Sequence, residues 1–404
     1  MANSDLVVQK FSHSLEGVAI DLVVSGSIAA TESIKFIRSL RRLGARVYPW
    51  LTAGGSQFVT EMSLAWAANN PVQMSFSGES SHIGCKDICV VAPASVSFLA
   101  EIVGGGCSRP ATALVQSYLG QKKPVLMLTN AHQSLLDSPF VQENQAKLAK
   151  VVSFLEPRYE ENKAKFPDPK MLASEISHQI NRLSKLDWPG VLVAMGTTRG
   201  YLDDIRYLSN YSSGSLGTHI TEELYRNGFK TTVVCGPCGI RPTSMSRLID
   251  ITTNEELEEQ CQSFLADDCT GVVFLPSVLD YRPKVRMKGK IDSQKEMLRF
   301  ECQRMKKILP ALPASSGFKV GFKLQTDVPG ADMIDALAKA YLEPYALSHL
   351  VINQKADVDS RKHRAVMIGG KGIPFGMETI EGKQEIASCL TEQARLVFEK
   401  KYGS

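Results

Sequence analysis

No stretch of the chain approaches the ~18–20 uninterrupted apolar residues that a membrane-spanning helix needs. The opening Met1–Ser14 also lacks the basic-then-apolar order of a secretory leader. The expectation is a cytoplasmic protein with no membrane partner. Charge of one sign is missing too: 46 Lys+Arg face 42 Asp+Glu, a net charge of +4. That balance argues against a nucleic-acid partner, and any charged ligand must be held by a local site. The nine cysteines are odd in number and spread from Cys85 to Cys389, unlike a secreted disulfide framework, so they read as thiols. The dinucleotide Gly-x-Gly-x-x-Gly, the phosphate-loop Gly-x-x-x-x-Gly-Lys-Ser/Thr and zinc-site spacings are all absent.

What remains is ordinary globular composition, 44% hydrophobic over 404 residues. At about 100–200 residues per domain, that length predicts two domains. The apolar run Val18–Val24 leads into Ser25-Gly26-Ser27, and Phe36, Ile37, Leu40 and Leu43 then share a helical face closed by Gly44. With a second strand at Ala45–Thr52 this is a βαβ unit. Further strands are predicted at Asp87–Val91, ending in Ala92-Pro93-Ala94-Ser95, and at Pro124–Leu128, ending in Thr129-Asn130. Residues 156–170 are charged, carry three prolines and are predicted to be an exposed loop, followed by a helix over Met171–Lys185.

The pattern restarts at Val191–Met195, which puts the domain boundary near residue 186: domains 1–186 and 187–404. The second half repeats strand, loop (Gly196–Gly214), helix (Leu216, Ile220, Leu224) and strand (Lys230–Cys235). Later strands are expected at Gly271–Leu275, Lys319–Phe322 and His349–Asn353, then a hairpin at Gly369–Gly372 and a helix from Gln384. The fold class is α/β, two doubly wound parallel-sheet, Rossmann-like domains in tandem.

Three segments can carry chemistry. Ser25-Gly26-Ser27 presents small residues at a helix start, where backbone N–H groups receive phosphate. The loop Asp204–Gly214 brings a carboxylate, the Arg206 guanidinium, the Asn210 carboxamide and the Ser212 and Ser213 hydroxyls up to a glycine before a helix. A core needs no such succession of polar groups, whereas an anionic substrate does. Asp280-Tyr281-Arg282-Pro283, with Lys284, Arg286, Lys288 and Lys290, follows a buried strand and suits a polyphosphate. Cys235-Gly236-Pro237-Cys238 spells a redox pair, but poor helix formers follow it, so a redox role is not expected.

These residues resemble the bifunctional phosphopantothenoylcysteine decarboxylase / phosphopantothenate–cysteine ligase family of coenzyme A biosynthesis over nearly the whole chain. The first half carries Gly26-Ser27-Ile28-Ala29-Ala30, Thr52 with Phe58, His82-Ile83 and Ala92-Pro93-Ala94; the second carries Arg206–Asn210, Ser212-Ser213-Gly214, Gly236-Pro237, Asp280–Pro283, Lys290-Ile291 and Val320-Gly321-Phe322. The resemblance implies a flavoprotein-like first domain binding FMN through Gly26, Ser27, Ile28, Thr52, Ala94 and Ser95, with His82 as a base at a subunit interface. It implies a second domain that uses a nucleoside triphosphate and Mg²⁺ to activate 4′-phosphopantothenate as an acyl-nucleotide, which the cysteine amine attacks. Asn210 would hold the acyl intermediate and Lys290 the attacked phosphate. Arg206, Ser212, Ser213, Gly214, Asp280, Arg282 and Phe322 would bind substrate and nucleotide, with no metal ligands assigned. Homo-oligomers, trimeric through the first half and dimeric through the second, are the family's habit.

The chain departs from the family in two places. Thr129-Asn130-Ala131-His132-Gln133 replaces the Pro-Ala-Met-Asn motif, and no cysteine lies between Val151 and Asp187 to serve as the flap proton donor. The resemblance therefore implies a weakened decarboxylase, with a non-catalytic flavin-binding regulator as the alternative. Tyr341 and Tyr345 stand where CTP-using members have lysines, which points to ATP. The two-domain fusion points to CTP, so either nucleotide fits.

Overall fold

The computed structural model describes residues 4–183, 188–267, 269–294, 296–313, 317–326, 330–357 and 363–402. The chain divides into two compact units, Met1–Ser177 and His178–Ser404. The boundary expected near 186 lies outside the described residues; the division by contacts falls inside a helix, α7 (Pro169–Arg182). Within that helix Ser177 bonds Ser14 of the first unit at 2.8 Å, while His178 stacks on Tyr225 of the second at 4.0 Å.

The first unit carries β1 (Ala19–Val24), α1 (Ser33–Arg42), β2 (Arg46–Leu51), α2 (Glu61–Ala68), β3 (Ile88–Ala94), α3 (Val96–Val103), α4 (Pro110–Gly120), β4 (Val125–Thr129), α5 (Gln133–Leu136), α6 (Pro139–Leu148) and β5 (Ser153–Phe154). Strand order is β2-β1-β3-β4-β5, all parallel. The order reverses between β1 and β3, and ligands of open α/β sheets bind at such a switch point. Asp21, the charged residue inside the apolar run, is accommodated because the Trp50 indole (2.9 Å) and the Tyr118 hydroxyl (2.7 Å) donate to its carboxylate.

The loop expected over 156–170 is instead a β-hairpin, β6 (Arg158–Glu160) and β7 (Lys163–Lys165). Its turn residues Glu161 and Asn162 both adopt left-handed backbone, at φ 53 and 56°, as a tight two-residue connection requires. The three prolines lie outside the paired residues. Ala164 and Phe166 are buried, and Phe166 meets Phe36 edge-on at 5.6 Å. Charge on one face masked this inward alternation.

The second unit carries β8 (Gly190–Met195), β9 (Arg199–Tyr201), β10 (Tyr207–Ser209), α8 (Ser215–Arg226), β11 (Thr231–Cys235), β12 (Arg247–Asp250), α9 (Asn254–Asp267), β13 (Cys269–Phe274), β14 (Tyr281–Pro283), β15 (Cys302–Arg304), β16 (Lys319–Gln325), α10 (Ala331–Tyr341), β17 (His349–Gln354), β18 (Arg364–Gly369), β19 (Met377–Glu381) and α11 (Lys383–Tyr402). The main sheet runs β12-β11-β8-β13-β16-β17-β18-β19. It is parallel through β17, and β18 and β19 add an antiparallel edge. Alternation along β8 fills both faces: Val191 and Val193 pack toward α8 and α11, Leu192 and Ala194 toward α9. The expected loop Gly196–Gly214 contains the β9–β10 ladder.

His349 begins β17 fully buried, with Nδ1 3.0 Å from Ser348 Oγ and the Phe318 and Phe375 rings around it. Burial pushes its pKa down to about 4, below the ordinary value near 6.5. The unfolded chain therefore binds a proton first as pH falls. Stability present above about 6.5 should drop by about 3 kcal/mol as pH falls toward about 4. Urea midpoints of the protein and of His349→Asn, compared from pH 7.5 to 4.5, check this; parallel curves would refute it.

Candidate active sites

The first unit holds a cavity of about 880 Å³ at the carboxyl ends of β1, β3 and β4. Ser25 ties the switch point together: its hydroxyl donates to Pro93 O (2.8 Å) and accepts from the Ser95 N–H (2.8 Å). Gly26 passes so close to Gly54 that a Cβ on it would stand 3.0 Å from the Gly54 Cα. Only bare backbone therefore fits between β1 and β2 here. Ser27 caps the short helical turn Ile28–Glu32 by accepting from the Ala29 N–H at 3.3 Å.

Gly26, Ser27, Ile28 and Ser95 line the cavity as expected; Thr52, Ala94 and His82 do not. Thr52 instead donates to Val24 O (3.3 Å) and accepts from the Gly55 N–H (3.1 Å), shaping the turn behind the wall. Ala94 is wholly buried at the end of β3. The His82 ring meets Phe76 edge-on at 5.2 Å, and its buried Nδ1 has no partner.

Sequence reasoning missed the far wall. Asn130 and His132 line the cavity, as do Arg158 and Lys163 of the hairpin. The hairpin is docked by Ala164 N–H to Ala131 O (3.0 Å) and by the Asn130 amide to Ala164 O (3.2 Å). The Asn130 Oδ1 is buried with no partner. His132 accepts the Ser134 N–H on Nδ1 at 3.2 Å, which places its proton on Nε2. No periodicity signals a wall built by a hairpin folding back over a strand end.

The second unit holds a cavity of about 390 Å³ at the N-terminus of α8, under the ends of β8, β13, β16 and β17. Gly214 caps α8 at φ 80°, and a Cβ there would collide with Ile240 O and the Cys238 sulfur. Gly217 lets α8 approach Met195, since a Cβ would sit 2.9 Å from the methionine Cβ. The expected residues Asn210, Ser212, Ser213, Gly214, Asp280 and Phe322 line this cavity. The Asn210 amide nitrogen donates to Val278 O (2.9 Å) and Ser277 O (3.4 Å), which locks the β10 end to the loop after β13. The family resemblance implies that Asn210 holds the acyl intermediate; here its amide donor is engaged with backbone.

Arg206, Arg282 and Lys290 are outside the lining. Arg206 bonds Asp203 (2.8 Å) and Ile291 O (3.0 Å), and Arg282 pairs with Glu255. Lys290 is exposed on a loop whose Gly289 N–H donates to Asp204 Oδ2 at 2.8 Å. The organiser is Asp203, a residue before the segment read as functional. Its buried carboxylate accepts the N–H groups of Arg206, Ile291 (2.9 Å) and Ile205 (2.7 Å). Those bonds, led by the one from Arg206, hold its pKa well below the usual carboxylate range.

The Cys235 and Cys238 sulfurs lie 3.7 Å apart as thiols. Burial first, and then its neighbour, push the Cys238 thiol up to about 12, opposite to an activated redox cysteine. Among the described residues no three metal-ligating side chains cluster, and no helix is long and apolar enough to cross a membrane. The cavity lining missed from sequence includes Lys306, Lys307, Lys323, Asn353, His363 and Lys383; Tyr341 and Tyr345 also line it, edge to face at 5.1 Å.

Residues 8–181 match the family model described as Flavoprotein, and residues 187–395 that of the DNA/pantothenate metabolism flavoprotein C-terminal domain. The chain is 31% identical to the coenzyme A biosynthesis bifunctional protein CoaBC of Thermococcus kodakarensis, covering 90% of this chain and 92% of the relative. It is 25% identical to the protein of that name from Methanocaldococcus jannaschii, covering 95% of each. For the Haemophilus influenzae protein of that name the figures are 24% identity, 84% of this chain and 87% of the relative.

Proposed function

From the premise that this chain belongs to the family of bifunctional coenzyme A biosynthesis proteins, we propose that its second unit joins 4′-phosphopantothenate to cysteine. The substrate carboxylate attacks the α-phosphorus of a nucleoside triphosphate and expels pyrophosphate. The cysteine amine then attacks the acyl carbon and expels the nucleoside monophosphate, leaving an amide. The observation that carries this reading is Asn210 locked at the mouth of α8, beside Ser212, Ser213 and Gly214. The first N–H groups of α8 suit phosphate oxygens, and lysines neutralise charge as pyrophosphate leaves. Asp280, the carboxylate of the lining among the described residues, suits a Mg²⁺ that enters with the nucleotide, since that ion keeps few protein ligands beside substrate phosphates. Lys290, outside the lining, would have to swing in with its loop to meet the nucleotide. Purified protein given CTP or ATP with 4′-phosphopantothenate and cysteine should release pyrophosphate. No release with either would refute the reading, and the better nucleotide shows what the Tyr341–Tyr345 wall selects.

The first unit is proposed to bind FMN and to decarboxylate the ligation product. The wall of Gly26, Ser27 and Ser95, the unpartnered Asn130 Oδ1 and the basic Arg158 and Lys163 fit a phosphate-bearing planar group. FMN, when bound, supplies the reversible two-electron oxidation on which loss of carbon dioxide depends. No cysteine lies between Val151 and Asp187 to supply the proton, so reduction of the enethiol left after carbon dioxide departs is the step expected to be slow. His82 lies outside its own chain's cavity, which favours a homo-oligomer in which a neighbour's site receives it; the cytoplasm is the proposed location. The purified protein should show a flavin absorption spectrum, and Gly26→Val should abolish it, because the new side chain meets Gly54 backbone. Unchanged flavin content in that variant would refute the assigned site.

A further inference from the structure

We propose that Lys383 is a phosphate-binding cation at the β17–α11 end of the second cavity, a subsite distinct from the α8 N-terminus. The proposal rests on the ligase reading for its substrates but not for its binding test. Lys383 is the first residue of the twenty-residue helix α11 and lines the cavity. A cation at that position faces the positive end of the helix dipole, where an anionic side chain would be favoured. The backbone holds it there firmly. Gly382, at φ 107°, donates its N–H to His363 O (2.7 Å) and accepts from the Ile386 N–H (3.0 Å). His363, 2% exposed, bonds Asn353 Oδ1 (3.3 Å) at the end of β17 and Asp357 O (3.1 Å). The turn carrying Lys383 is thus bolted to the strand end that lines the cavity.

The other lysines of the lining are already engaged. Lys307 pairs with Asp280, Lys306 reaches Glu258 at 4.0 Å, and Lys323 lies over the Tyr341 ring at 5.7 Å. Among the described residues nothing pairs with the Lys383 ammonium. A cation whose backbone is anchored, against its helix dipole and facing a cavity whose one lining carboxylate among the described residues, Asp280, is already paired with Lys307, is matched to an anion that arrives from solution. In a site that must hold phosphate groups, that anion is a phosphate, either of the nucleotide or of the acid substrate.

The test uses the full chain and its variants Lys383→Gln and Lys383→Arg. Calorimetric titration with inorganic phosphate and with pyrophosphate needs no turnover, so it stands even if the ligase reading fails. Initial rates give the KM for the nucleotide and for 4′-phosphopantothenate separately. Lys383→Gln is expected to weaken an inorganic anion, or to raise one KM, by about tenfold or more, while Lys383→Arg stays near the parent. A raised KM for the acid substrate alone assigns the subsite to its phosphate, and one for the nucleotide alone to the triphosphate. Anion affinities and both KM values within twofold of the parent overturn the proposal, as does a fall in kcat alone.

Discussion

Replacing Asn210 by alanine should lower the rate of pyrophosphate release by about tenfold to a hundredfold, the cost of releasing a segment that positions the lining of a reacting centre. The side chain does two things at once. Its amide nitrogen clamps the β10 end to Ser277 and Val278, and the residue lines a cavity that the start of α8 also lines. Alanine removes both the clamp and the carboxamide, yet leaves the glycine-capped helix intact. The loss should therefore fall on kcat while thermal stability changes by less than about 1 kcal/mol, the net worth of a typical hydrogen bond. Asn210→Asp keeps the shape but sets a carboxylate against two carbonyl oxygens, and should be at least as damaging. Parent-like kcat in Asn210→Ala would remove this residue from the mechanism.

Gly236→Ala should be strongly destabilising to the second unit. A Cβ at Gly236 would be driven into the carbonyl of Thr197 and would stand 2.9 Å from the Thr197 nitrogen. Both groups are backbone and both are held. The Gly236 N–H donates to Met195 O (2.9 Å), while Thr197 donates to Pro237 O from its N–H (3.2 Å) and from its hydroxyl (2.8 Å). Neither strand end can yield without breaking these bonds, so the cost is on the order of 3 kcal/mol or more. Hydrogen exchange of the β8 and β11 amides, all within the second unit, reports its unfolding apart from that of the first. Protection of these amides equal to the parent's would refute the argument.

The same contact explains why Cys-Gly-Pro-Cys misleads as a motif. Its glycine lets the ends of β8 and β11 touch, and Cys238 packs under Gly214. The spacing serves close packing, and nothing in the four letters distinguishes that use from a redox one.

Strand and helix positions were legible because alternation and the 3.6-residue period report burial directly. β1 and β8 begin and end within a residue of the positions read from sequence, and the apolar faces read for α1 and α8 fall on those helices, Leu43 alone lying just past the end of α1. The hairpin 158–165 was not legible, because its inward residue Ala164, and Phe166 just beyond it, are hidden among charges that face outward. The small and polar residues beside a helix start, Gly26, Ser27, Asn210 and Ser212–Gly214, were legible for a related reason: binding at a helix N-terminus is local in sequence.

The linear sequence by itself determined two α/β units, their order and two segments that line the cavities, Gly26–Ile28 and Asn210–Gly214, since each depends on residues within about a dozen positions of one another. Tertiary structure alone decided which of the candidate cations face a cavity. Arg206 and Arg282 are taken up by Asp203 and Glu255, Lys290 stands on an exposed loop, and Lys383, about 170 residues from Gly214, lines the site instead. The physical reason is that a charge is satisfied by whatever lies within a few ångströms of it, and the crossover connections of a parallel sheet bring distant strand ends to one edge.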